Sequence, residues 1–139
     1  MIQLIVGAKG KGKTKQLLDQ VNAAIETATG NIVYLDKSQK HMHELSNKVR
    51  LINVGDYPIS NCDEFLGFIC GIVSQDYDLQ EMYLDSFLTI ANLADDQLVH
   101  AIEKLDIISE KFNVKFVLSV SKDEADLPEC AKARLIVSL

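Results

Sequence analysis

Tryptophan is absent from this chain, prolines number only two, and the arginines are Arg50 and Arg134 alone. So few prolines, and no low-complexity tract, leave nothing that reads as an interdomain linker, and 139 residues suit one domain spanning 1–139. Positive charge is also scarce: the net charge is −6, with no basic run outside one short stretch near the start. A general nucleic-acid binder needs a positive surface to displace counterions from phosphates, so DNA and RNA are not expected partners. The three cysteines, Cys62, Cys70 and Cys130, cannot all pair with one another and lack zinc-site spacing. Cys62 and Cys70 fall in or beside an apolar helical stretch, where buried free thiols are expected. No apolar run approaches the ~20 residues needed to cross a bilayer, which excludes a helical membrane span. Met1-Ile2-Gln3-Leu4-Ile5-Val6 carries neither a basic leader nor a cleavage site. A reducing cytoplasm is the expected compartment.

What the chain does have is an ordinary globular composition, 47% hydrophobic and 24% charged, arranged as short apolar runs alternating with helical stretches. The runs are 2–6, 31–35, 49–54, 81–84, 116–120 and 134–138. Several are continuously apolar, as strands covered on both faces must be. Between them, Leu17, Leu18, Val21, Ala24, Ile25 and Ala28 form one helical stripe, and Phe65, Leu66, Phe68, Ile69, Ile72 and Val73 another. A third over 95–112 places Leu98, Ile102, Leu105, Ile108 and Phe112 at spacings of three and four. Gly30-Asn31 is expected to end the first helix, and Ser60-Asn61 to cap the second. Gly67 and Gly71, four apart, read as a site of close helix packing. The alternation predicts an α/β fold: a mostly parallel sheet covered by helices on both faces, with strand C-termini gathered along one edge. Ligands of such sheets bind at that edge.

The run Gly7-Ala8-Lys9-Gly10-Lys11-Gly12-Lys13-Thr14 satisfies G-x-x-x-x-G-K-[ST] at every specified position. It follows a predicted strand and opens a predicted helix, the context in which this pattern forms a phosphate-binding P-loop. Glycines let backbone amides turn inward around phosphate where a Cβ would obstruct. The helix start adds unpaired amides and a positive dipole end, extending the expected nucleotide contacts from Gly7 to Lys15. Lys13 is expected to reach the β- and γ-phosphates, and the Thr14 hydroxyl to bind Mg²⁺. Lys9 and Lys11 are not demanded by the pattern and read either as added local charge or as solvated loop lysines.

Mg²⁺ held mainly by triphosphate oxygens and Thr14 needs a carboxylate from a neighbouring strand. Met82-Tyr83-Leu84-Asp85 ends an apolar run in an acid and makes Asp85 the metal-side candidate. Asn31-Ile32-Val33-Tyr34-Leu35-Asp36 has the same form, and Asp36 is read as a neighbour that positions water. Glu44 is a second candidate for that role. Ser119 and Ser121, at a strand end, are candidates to sense the γ-phosphate. His41 and His43 read chiefly as solvated loop histidines, and His100 as lying on a polar helix face.

These runs resemble the P-loop NTPases, and more narrowly their RecA-like and pilus-retraction-motor (PilT-like) branch. The stretch 1–20 carries most of the likeness, with Val33-Tyr34-Leu35-Asp36 and Tyr83-Leu84-Asp85 adding to it. The resemblance implies a small stand-alone ATP- and Mg²⁺-binding core, without the extra N-terminal domain or the acid- and histidine-rich boxes of pilus motors. Many ATPases of the additional-strand group carry glutamate immediately after the second acid; here that position is Ser86. The expectation is therefore a weak or partner-dependent ATPase or nucleotide-dependent switch, acting with a protein partner or as a homo-oligomer. A small-molecule or nucleoside kinase is the alternative, although no arginine-rich lid is present. A GTPase is disfavoured because Asn47-Lys48-Val49-Arg50 ends in arginine where a guanine-reading motif has aspartate.

Overall fold

The computed structural model describes all 139 residues. Six strands form one sheet: β1 (Ile2–Val6), β2 (Asn31–Asp36), β3 (Arg50–Asn53), β4 (Leu79–Leu84), β5 (Lys115–Val120) and β6 (Leu135–Ser138). Their spatial order is β3-β2-β4-β5-β1-β6, and every neighbouring pair is parallel. The helices are α1 (Lys13–Thr27), α2 (Cys62–Ser74), α3 (Phe87–Ile90), α4 (Leu98–Phe112) and α5 (Glu129–Lys132).

The period-two alternation of a strand explains why continuously apolar runs succeed here. Ile5, Ile32, Tyr34, Tyr83 and Val117 point to one face and meet Leu17, Leu18, Val21 and Ile25 of α1. Their sequence neighbours Leu4, Val6, Val33, Leu35, Met82, Leu84, Phe116 and Leu118 point the other way. There they join the stripes of α2 and α4, including Phe65, Ile69, Ile102 and Leu105. The sheet is thus covered by helices on both faces, as expected. No helix is long and apolar enough to cross a membrane.

Several local expectations change. The first helix stops at Thr27, with Ala28 already extended, so Gly30 lies beyond it. The 95–112 stripe divides into a 3₁₀ turn at Asp95–Gln97 followed by α4, and its last apolar residue, Phe112, is half exposed. Phe112 is the last residue of α4 and borders an open recess beside Val73, Leu79 and Val114, so periodicity overran the packing. Gly67 and Gly71 face solvent with open space where a Cβ would stand, and no helix packs on them. Cys62 is buried but Cys70 is exposed on the same helix. The α2 cap is as expected: Asn61 accepts from the Glu64 amide at 2.9 Å.

Candidate functional site

Parallel strands bring the C-termini of β1, β2, β4 and β5 to one edge, and the register decides which side chains meet there. Leu35 pairs with Leu84, and Leu84 with Leu118. The next residues, Asp36, Asp85 and Ser119, therefore emerge side by side although 83 positions separate the first from the last. The Asp85 amide donates to the Leu35 carbonyl at 2.9 Å, which keeps the two acid-bearing strand ends together. A cavity of about 610 Å³ lies over this edge. Lys9, Gly10, Gly12, Lys13 and Thr14 line one side, Asp85, Ser86, Thr89, Ser119 and Ser121 the floor, and Asp36, Lys37, Ser38, Lys40 and His41 the other side.

The glycine-rich turn between β1 and α1 is shaped by backbone that only glycine adopts readily. Gly10 has φ +85° and Gly12, the residue before α1, has φ +98°, and no atom lies within 4 Å of a Cβ built on either. Those positions therefore require glycine for conformation rather than for lack of room. The α1 N-terminus has no side-chain cap, so its first amides are left for other acceptors. Lys13 is buried and folds back across the turn, its ammonium donating to the Ala8 carbonyl at 3.1 Å. Burial lowers the Lys13 pKa, an effect that the nearby Asp85 carboxylate opposes.

Asp85 is the most heavily bonded side chain of the site. Its Oδ2 accepts from the Thr14 hydroxyl at 2.9 Å and from the Tyr34 hydroxyl at 3.1 Å. Its Oδ1 accepts from the Ser119 hydroxyl at 2.6 Å and from the Ser86 amide at 2.9 Å. Burial and the neighbouring Asp85 and Asp36 charges hold the Tyr34 phenol far above its ordinary pKa, so it stays a neutral donor. Ser86 itself takes a left-handed conformation, φ +54°, uncommon outside glycine, asparagine and aspartate.

Asp36 contrasts with Asp85. It is equally buried, yet only Oδ1 has a partner, the Lys37 amide at 2.7 Å, and Oδ2 has none. Burial raises its pKa; the Lys37 amide works against that rise, and the Asp85 charge adds to it. An unpartnered buried carboxylate oxygen in a polar cavity is a group ready to accept a bond from whatever enters.

The expected site residues are thus largely brought together, with some exceptions. Ser119 lines the cavity but commits its hydroxyl to Asp85, leaving Ser121 as the freer of the two serines. Lys11 does not line the cavity, whereas Lys9 does. His41 also reaches it, contrary to its reading as a solvated histidine, while His43 stays exposed. Lys15 pairs with Asp19 on the α1 surface at 3.0 Å. Glu44 is displaced to a separate recess with Asn22 and Asp19, which His41 also borders. His100 is half exposed near Asp63. Arg50 begins β3 and Arg134 precedes β6, each at the far end of its strand; Arg134 lies 3.4 Å from Asp106. Tyr34, Lys37, Ser38 and Lys40 were not singled out from the sequence. Tyr34 reads there as an ordinary strand aromatic, and the lysines follow Asp36 in a stretch whose path is fixed only by tertiary contacts.

No group of three or more His, Cys, Asp or Glu side chains could hold a metal ion by itself. Comparison with protein-family models and with curated proteins finds no match.

Proposed function

We propose that the chain binds a nucleoside triphosphate, most simply Mg²⁺–ATP, in the cavity over the strand ends. The supporting observation is the convergence of a glycine-shaped turn, an uncapped helix start and buried Lys13 with the Thr14–Asp85 pair. Open amides and a helix dipole favour an anion at that point, and Lys13 adds a full charge. Thr14 is the residue that would hold Mg²⁺, with Asp85 bonded behind its hydroxyl, and the ion when bound would neutralise and orient phosphate oxygens. With too few protein ligands for a metal-only centre, binding of the ion depends on those phosphate oxygens. Both Asp85 oxygens already accept two bonds, so this acid fixes the Thr14 hydroxyl and lends charge without a free lone pair.

The strand order agrees with the RecA-like likeness. β5 lies between β1, which leads into the glycine turn, and β4, which is followed directly by Asp85. An interposed strand fits the additional-strand group of P-loop NTPases. On the hydrolytic side, Ser86 takes the place where glutamate often stands, and Asp36 is the one cavity acid with an unengaged oxygen. Asp36 is accordingly the residue that accepts a bond from water, and the function is a nucleotide-dependent switch or slow ATPase rather than a rapid autonomous enzyme.

The test is denaturation followed with and without nucleotide. Mg²⁺–ATP should raise the midpoint in proportion to the logarithm of its concentration, and omission of Mg²⁺ should weaken the effect. A midpoint indifferent to ATP, ADP and GTP at millimolar concentration would remove the proposal.

A further inference from the structure

The cavity extends well past the glycine turn, and its far wall is a short basic segment. Residues 37–41 contribute Lys37, Ser38, Lys40 and His41 to it. The segment runs directly on from β2 and is tied to α1 at its far end. Next to β2, the Lys37 amide is bonded to Asp36. Beyond the cavity, Asn22 of α1 holds the chain twice, donating to the Glu44 carbonyl at 2.8 Å and accepting from the Ser46 amide at 2.8 Å. His41 meets Glu44 at 3.2 Å within the same strap. The segment following β2 is thereby tied to the helix that the glycine turn opens.

Charge at this wall runs against that of the whole molecule. The chain carries −6, yet the cavity gathers Lys9, Lys13, Lys37 and Lys40 against only Asp36 and Asp85. Lys15 and Lys132 are ion-paired on the surface, whereas neither Lys37 nor Lys40 is bridged to a carboxylate. A phosphate chain laid from the glycine turn toward Asp36 brings its outer, most charged end beside two carboxylates. That placement favours further cations on the Asp36 side, beyond Lys13 at the turn and a phosphate-bound Mg²⁺. Neither arginine reaches this edge.

Resting on the nucleotide reading above, we infer that Lys37 and Lys40 bind the outermost phosphate, so that the 37–41 segment distinguishes triphosphate from diphosphate. Both are exposed and line the cavity from one short loop, so they act as point charges without rigid geometry. ADP, lacking the outer phosphate, leaves them without a partner and relies on the glycine turn and Lys13.

The experiment is calorimetric titration of Mg²⁺–ATP and Mg²⁺–ADP into wild type, the Lys37→Ala/Lys40→Ala double variant and Lys48→Ala. Lys48 is an exposed lysine outside the cavity and serves as the charge control. The double variant should lose at least tenfold in ATP affinity while ADP affinity changes by less than about twofold, a loss of about 1.4 kcal/mol confined to the triphosphate. Lys48→Ala should change neither. Wild type that binds both nucleotides, with an unaltered ATP-to-ADP ratio in the double variant, overturns the inference alone. Wild type that binds neither overturns the nucleotide reading and this inference with it.

Discussion

The Thr14 hydroxyl donates to Asp85 Oδ2 across 2.9 Å, joining residues 71 positions apart. One lies in the first turn of α1 after the glycine turn, and the other directly follows β4, two places from β1 in the sheet. The contact depends on the parallel register throughout, and it makes Asp85 a structural residue as well as a candidate ligand-site residue.

Replacing Asp85 by alanine strands the buried hydroxyls of Tyr34 and Ser119 and frees that of Thr14, while the Ser86 amide keeps its bond to Ser119 Oγ at 2.8 Å. Stability without nucleotide should fall by on the order of 3 kcal/mol, since unsatisfied buried donors keep their desolvation cost. Urea denaturation of Asp85→Ala measures this; a midpoint equal to wild type would show the network to be slack.

Two glycines separate conformation from crowding. At Gly12, alanine meets open space but must hold φ near +98°, so Gly12→Ala should cost about 1–2 kcal/mol and distort the turn. At Gly30, a Cβ would stand 2.1 Å from the Asp78 carbonyl oxygen, so Gly30→Ala should cost about 2–3 kcal/mol through forced backbone movement. Only the Gly12 variant should lose ATP affinity beyond its stability loss, as paired denaturation and titration would reveal.

Asp36 carries a pH signature. Burial raises its folded-state pKa above the ordinary 3.8, so the folded protein binds its proton more tightly than the unfolded chain. Its contribution therefore disfavours folding at neutral pH, and the penalty fades as pH falls through the raised folded value toward 3.8. Asp36→Asn, which retains an acceptor for the Lys37 amide, should be more stable than wild type at pH 7, with the gain shrinking in acid. A pH-independent difference between the two would contradict this account of Asp36.

How much of this was visible beforehand follows from which interactions are local. Strand positions, the α2 cap and the glycine turn rest on side-chain alternation, one Asn61 bond and consecutive residues, all written within short windows. That Asp36 and Asp85 end neighbouring strands is hinted at by matching apolar runs ending in acid. Their different states are not: Asp85 gathers donors from β5, α1 and β2, while Asp36 keeps one oxygen unpartnered. Such partners are set by strand order, which no local pattern encodes. Phe112 and Cys70 fail for a related reason, since periodicity marks a helix face without saying where the neighbouring layer stops.

Turnover should be slow while binding is firm. ATP at one hundred times its dissociation constant should stabilise the fold by about 2.7 kcal/mol. Phosphate release by the purified chain should nevertheless stay below about 1 per second, because arginine fingers that add three to five orders of magnitude elsewhere have no counterpart here. Multiple turnover well above that rate, lost in Asp36→Asn, would make the chain an autonomous hydrolase.

The most direct measurement is a calorimetric titration of ATP with Mg²⁺ into wild type and Lys13→Ala under one set of conditions. The substitution removes the buried charge that crosses the glycine turn and leaves the backbone amides in place. Saturable one-to-one binding by wild type, weakened at least tenfold or about 1.4 kcal/mol in a folded Lys13→Ala protein, is the predicted result. Absence of binding to wild type, or identical isotherms for the two proteins, would contradict the assignment of this cavity to a nucleoside triphosphate.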